Sequence, residues 1–270
     1  MTLPIPAMTG TIDRRILVNY RVDPAALARL VPPPFRLKTV NGHGIAGICL
    51  IRLRHLRPRG IPAWLGVGSE NAAHRIAVEW DADGETRSGV YVPRRDTNSR
   101  LNALAGGRLF EGHHHHATFT IAETATHLEV AVASDDGHVD LAVVADRDDG
   151  NGAGHPHATA DAARPLPGST FATLAEASAF FASGAIGYSA TPVPGRYEGL
   201  ELRCKAWRVE PLVVRSVRSS VFDDGARFPA GSTAFDCALL MRGIEHEWRG
   251  LGAMCDPGGA AARASAPDLM

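Results

Sequence analysis

The chain has 270 residues, of which 45% are hydrophobic and 21% charged, and its 28 basic residues nearly balance 29 acidic ones. That near-neutral balance leaves no electrostatic footprint for nucleic acid, and no apolar run approaches the roughly 20 residues needed to span a bilayer as a helix. The four cysteines, Cys49, Cys204, Cys237 and Cys255, form no C-x-x-C pair, and Met1 to Gly10 lacks the basic start and apolar run of a secretory signal. The expectation is a cytoplasmic protein with reduced thiols.

In chain order, Ile12 to Val22 reads as a first strand. Asp23 caps a short helix with Pro24 at its first position, running to Val31 and stopped by Pro32-Pro33-Pro34. Asn41-Gly42 between Phe35–Val40 and Gly47–Leu56 predicts a hairpin, because both central residues of that turn want positive φ. The same stretch spells G-x-G-x-x-G from Gly42 to Gly47, but a strand-like run follows where a dinucleotide site needs a helix N-terminus. Further strands are expected at Arg75–Trp80, Arg87–Val92, His116–Ala122, His127–Ser134 and Val139–Ala145. Asp148 to Gly168 reads as a long surface loop. Thr173-x-x-Glu176 is a capping box for a helix closed by Gly184. Three strands end the fold at Leu200–Val209, Leu212–Phe222 and Phe235–Trp248, and the Ala/Gly/Pro-rich stretch from Leu251 is expected to be disordered. The reading is one α+β domain over residues 1–250 and a tail over 251–270. Its sheet is mainly antiparallel, closed into a barrel that removes exposed edges.

The segment Gly89-Val90-Tyr91-Val92-Pro93-Arg94-Arg95-Asp96 is the most informative. Adjacent guanidiniums repel, so such a pair faces water or waits for an anion, and arginine's planar fork matches carboxylate oxygens two at a time. Arg75, Tyr91, Arg94 and Arg95 are therefore candidates for binding a small acid. Glu70, with His74 beside it, is the candidate general acid or base. In an extended segment Glu70 and His74 share one face, and Asn71 and Arg75 the other. In the run His113–His116, alternation sends His114 and His116 to one side, as walls of a pocket or as metal ligands. A metal-dependent barrel enzyme built on that run is the alternative reading. Glu245-His246-Glu247 reads as an exposed rim and Asp223-Asp224-Gly225 as a turn. No nucleophile elbow, P-loop or zinc-type cysteine spacing is present.

Tyr20-Arg21-Val22-Asp23-Pro24-Ala25-Ala26-Leu27 and its continuation to Pro34 resemble the N-terminal region of acetoacetate decarboxylase-like proteins. Ser69-Glu70-Asn71, Gly89 to Asp96, Gly106-Gly107-Arg108-Leu109-Phe110, Ser219 to Asp224 and Phe235 to Arg242 look closer to one branch, the domain of unknown function 2071 family. The resemblance implies a β-barrel or cone around a largely enclosed pocket, often in an assembly of identical chains, with a small-molecule acid ligand and no cofactor. In the decarboxylases a Pro-Lys-Lys motif supplies an imine-forming lysine, made nucleophilic by its neighbour's charge. Here Pro93-Arg94-Arg95 is the counterpart, and arginine stays protonated and forms no imine. The only lysines, Lys38 and Lys205, read as solvated. The function expected is a pocket protein for a small carboxylate or oxo-acid-like metabolite, or an imine-independent lyase or hydrolase.

Overall fold

The computed structural model describes residues 7–100, 114–147 and 163–256. The first strand, β1 (Met8–Val22), ends at Asp23, whose carboxylate accepts the Ala26 N–H at the start of helix α1 (Pro24–Ala28). Two short strands follow, β2 (Arg36–Leu37) and β3 (Thr39–Val40), before the long β4 (His43–Pro58). Asn41 (φ 48°) and Gly42 (φ 80°) make the predicted turn, so the glycine-rich stretch is a hairpin and its continuation. After a single 3₁₀ turn at Ala63–Leu65 comes β5 (Val67–Ala82), joined to β6 (Glu85–Thr97) through Asp83 (φ 54°) and Gly84 (φ 80°). β5 begins eight residues earlier than its alternation suggests, because Ser69-Glu70-Asn71 carry polar groups with partners inside the protein.

β7 (His114–Glu123), β8 (His127–Ser134) and β9 (Asp140–Arg147) form an antiparallel meander. Helix α2 (Leu174–Ser183) starts where expected. Thr173 Oγ1 accepts the Glu176 N–H, while Glu176 reaches back to the Ala172 N–H, one residue beyond a standard capping box. The remaining strands are β10 (Ile186–Ala190), which the sequence reading missed, β11 (Arg196–Cys204), β12 (Glu210–Ser219) and β13 (Thr233–Gly250). Met254–Cys255, within the stretch expected to be disordered, forms a two-residue strand β14 against β11. The predicted loop 148–168 lies mostly outside the described residues, as do His113 and the Gly106–Phe110 motif.

The architecture is mostly strand with two helices among the described residues. Pairings run β1–β4–β5–β6–β10–β11–β13 and back to β1, and a second arc β7–β8–β9–β12 links β6 to β13. β10 and β7 both lie parallel to β6, and the other ladders are antiparallel. β1, β4 and β5 are therefore covered on both faces, which is why Ile45 to Ile51 is an unbroken buried run rather than an alternating one. One face packs Ile16, Val18, Ile48, Leu50 and Val78 against the meander's Leu128, Val130 and Leu141. The other packs Leu17, Cys49, Ile51 and Leu53 against Phe171, Leu174 and Phe181 of the α2 region. Gly47 sits at a close approach of β1 and β4, since a Cβ there would lie 2.2 Å from the Val18 carbonyl oxygen. No helix among the described residues is long and apolar enough to cross a membrane.

Candidate functional site

Each strand of the seven-strand circuit contributes to the wall of one cavity of about 110 Å³, β10 through the backbone of Gly187. Its polar wall is Arg15 on β1, Asn71 and Arg75 on β5, Arg95 and Asp96 on β6 and His114 on β7. Cys49, Ile51, Leu202 and Trp248 supply much of the apolar remainder. Alternation explains the polar set on β5: Asn71 and Arg75 line the cavity, with Ala72 and Ala73 beside them, while Glu70 and His74 are buried away from it.

On β6 the alternation is interrupted. The β5–β6 register shifts between His74 and Ile76, which pair with Arg94 and Tyr91. Val92 and Pro93 together oppose the single residue Arg75, one residue in excess, and a bulge is where a strand tolerates a residue without an N–H. Consequently Val90, Val92 and Arg95 face the cavity, while Tyr91 packs into an aromatic cluster with Phe35 and Tyr197.

Arg94 is 2% exposed and gives its donors to Asp96 (Nη2–Oδ1 2.7 Å) and Asp136 (Nη2–Oδ2 2.9 Å). Asp136 also accepts from Ser134 Oγ at 2.6 Å and lies 2.9 Å from His115 Nδ1. Burial raises the Asp96 carboxyl despite Arg94. Burial also works to raise Asp136, but bonds from Ser134, the His138 N–H and Arg94 outweigh it and hold that carboxyl well below the usual range. The two neighbouring arginines thus part company. Arg94, expected to hold a ligand, is committed to two carboxylates inside the protein, and Arg95 faces the cavity with Nε on Ser189 Oγ at 2.9 Å.

A second arginine doublet, not singled out in the sequence, behaves the same way. Arg14 is fully buried and bonds Glu70 (2.7 Å) and Glu123 (3.0 Å). Arg52 joins both glutamates, and Arg242 reaches Glu123 at 2.5 Å. Glu70 therefore belongs to an arginine–glutamate cluster on the face away from Arg75. Arg15 turns toward the cavity, with Nε on Cys49 Sγ at 3.2 Å, Nη1 3.9 Å from Met241 Sδ, and the Trp207 ring centroid 5.7 Å away.

Arg75 is 7% exposed, lies over the Phe181 ring at 5.0 Å and donates to Asn19 Oδ1 across the intervening Gly47. Burial lowers its guanidinium to about 10, and the nearby positive charge of Arg15 acts in the same direction. Neither Arg15 nor Arg75 pairs with a carboxylate among the described residues.

The remaining candidates lie elsewhere. His74 is buried against Phe222 with neither ring nitrogen hydrogen-bonded, and burial, reinforced by the charges of Arg94 and Arg227, lowers it to about 3. His116 Nδ1 meets Asp135 at 2.7 Å near the surface, whereas His114 is buried at the cavity wall. The histidines thus diverge, and no group of three or more His, Cys, Asp or Glu among the described residues is placed to hold a metal. Lys205 is largely exposed and paired with Glu245. Lys38 lies beside Phe180 at a small adjoining cavity that shares Arg15 and Arg75. Neither lysine lines the cavity that holds Arg15 and Cys49. His246, expected on an exposed rim, is 4% exposed against Trp248, and burial lowers it to about 4.

Comparison with known proteins agrees with this architecture. Residues 9–232 match the model of the DUF2071 family, described as an uncharacterized conserved protein. The chain belongs to that family. Among solved structures it is similar to acetoacetate decarboxylase from Legionella pneumophila subsp. pneumophila str. Philadelphia 1. The TM-score is 0.56 at 12% identity, over 94% of this chain and 90% of that one. The enduracididine biosynthesis enzyme MppR in complex with pyruvate gives 0.54 at 13% identity, over 94% and 91%. An acetoacetate decarboxylase-like enzyme from Sphingomonas wittichii RW1 gives 0.51 at 13%, over 94% of each. These likenesses establish a shared fold. No curated protein matches the chain. Sequence reasoning missed Arg15 and Cys49. The signal was available in Arg14-Arg15, an adjacent pair set inside the apolar strand Ile12–Val22.

Proposed function

We propose that the chain is a cone-shaped, single-domain pocket protein that binds a small carboxylate of the oxo-acid type. Arg15, Arg75 and Arg95 hold the anion, and an imine-independent lyase or hydrolase reaction is the chemistry that fits. The observation carrying this reading is that Arg15 and Arg75 share a cavity wall and neither has a carboxylate partner among the described residues. A buried guanidinium without a counter-ion is costly, so a site that keeps one is built for an anion arriving from outside. Cys49, Ile51 and Trp248 exclude water around it, which strengthens each charge-assisted bond to the ligand.

With Glu70 and His74 on the other face, the acid–base role on this wall falls to His114. The ring of strand pairings supports a closed cone, and the pyruvate complex of the structural neighbour MppR supports a ligand of that size and charge. Titration of purified protein with pyruvate tests the reading. Saturable 1:1 binding is expected, weakened at least tenfold in Arg75→Met. Equal affinity in the variant overturns it. Borohydride added with pyruvate is expected to leave the protein mass unchanged, and an adduct on Lys38 or Lys205 would contradict the imine-free chemistry.

A further inference from the structure

We infer that Cys49 is a covalent capture residue of the cavity, adding its thiol to the carbonyl of a bound 2-oxo acid. This rests on the anion-binding reading above and deepens it by naming the ligand class. Among the described residues lining the cavity, Cys49 carries the only thiol, and no lysine is present there. The other groups able to attack carbon are the Asp96 carboxylate, bonded to Arg94, and the His114 imidazole.

Cys49 does not stand alone as a feature of that wall. Its Sγ accepts the Arg15 Nε–H at 3.2 Å, so the sulfur sits on the edge of a guanidinium proposed to hold the ligand's carboxylate. Arg75 is 93% buried, lines the same cavity, and its Nε has no hydrogen-bond partner. A 2-oxo acid has its carbonyl carbon one bond from the carboxylate, so an acid held by Arg15 carries that carbon close to the sulfur bonded to the same guanidinium. A saturated acid of equal length offers the sulfur nothing to attack.

The step is balanced without any oxidant or second reactant. The Sγ–C2 bond forms, the carbonyl π bond opens, and the thiol proton ends on the new hydroxyl, giving a hemithioketal. Negative charge developing on sulfur or oxygen during the addition meets two fixed guanidiniums in an apolar wall, which is where such charge is best stabilised. The addition is reversible, so the capture holds the acid without trapping it.

The test compares pyruvate with propionate on the full chain, using the wild type, Cys49→Ser and Cys49→Ala. The wild type is expected to favour pyruvate at least tenfold, and pyruvate labelled with carbon-13 at C2 should lose its carbonyl resonance and gain a tetrahedral one. Both variants should bring the pyruvate advantage close to one and abolish the tetrahedral signal. Using two substitutions guards against a packing defect, since a thermal scan of each reports folding independently. If pyruvate and propionate bind the wild type equally, and both depend on Arg75, the anion site stands and the thiol role is overturned. Binding of neither acid overturns both. A tetrahedral signal that persists in Cys49→Ser also refutes the assignment.

Discussion

The two arginine doublets, Arg14-Arg15 and Arg94-Arg95, stand on different strands yet divide alike. In each, the first guanidinium enters a carboxylate cluster: Arg14 meets Glu70 and Glu123, and Arg94 meets Asp96 and Asp136. The second turns to the opposite face and lines the cavity. Strand alternation alone forces this division, but the consequences differ by face. On one side the protein supplies its own anions, of which Asp96 also reaches the cavity wall while bonded to Arg94, and the arginines hold the fold together. On the other, Arg15 and the buried Arg75 have none among the described residues, so that face is open to a charge from solution. Counting partners around a buried cation separates structural from ligand-binding arginines better than counting arginines.

The sharpest way to break this distinction is to remove Arg94. Arg94→Met leaves Asp96 buried without its counter-ion, and destabilisation of about 3–5 kcal/mol is expected, on the order of a 10 °C fall in Tm for a chain of this size. Removing Asp96 as well should recover part of that loss. Denaturant melts of the single and double variants check both, and an Arg94→Met protein as stable as wild type would mean the cluster is not holding the fold.

Acidity probes one buried histidine on each face, His74 beside Arg94 and His246 against Trp248, with a smaller effect. His74 and His246 are held neutral, at about 3 and about 4 against 6.5 in the unfolded chain. Below pH 6.5 the unfolded state binds protons that the folded state refuses, so stability falls as pH falls. Each histidine contributes a slope of about 1.4 kcal/mol per pH unit, or roughly 2 kcal/mol between pH 6.5 and 5. His74→Leu should remove about half of the combined slope, read from melts across that range.

Much of this was legible in the sequence. Asn41-Gly42, Asp23-Pro24 and Thr173-x-x-Glu176 fixed a hairpin and two helix starts through local chemistry, and each lies where those residues put it. The acid-binding face was legible only in part, because a doublet announces two cations but not their partners. Asp136 lies 42 residues from Arg94, and Glu70 lies 56 from Arg14. Only the sheet order brings them together, β4 setting β5 beside β1 and the β7–β8–β9 meander setting the β8–β9 turn beside β6. The bulge at Val92-Pro93 hid the parity of β6, so Arg94 and Tyr91 looked like cavity residues. β10 went unseen because Ile186-Gly187-Tyr188-Ser189 is short, carries a glycine and pairs parallel to β6 far back in the chain.

On the cavity face the expected signs reverse. Arg75→Met removes a buried charge that has no carboxylate partner, so stability should hold within about 1 kcal/mol or rise, while affinity for pyruvate drops at least tenfold, about 1.4 kcal/mol. A variant that loses stability and keeps affinity would place Arg75 with Arg94 and dissolve the contrast between faces. Lys38 sets the lower bound of the effect. It adjoins Arg15 and Arg75 through a small side cavity, but its ammonium is near solvent over Phe180. A single charge acting through water-like surroundings is worth on the order of 0.5 kcal/mol, so Lys38→Ala should weaken pyruvate about twofold. Raising the salt concentration should erase that difference while leaving the Arg75 effect largely in place, because screening reaches an exposed charge far more than one enclosed by Phe181 and Asn19.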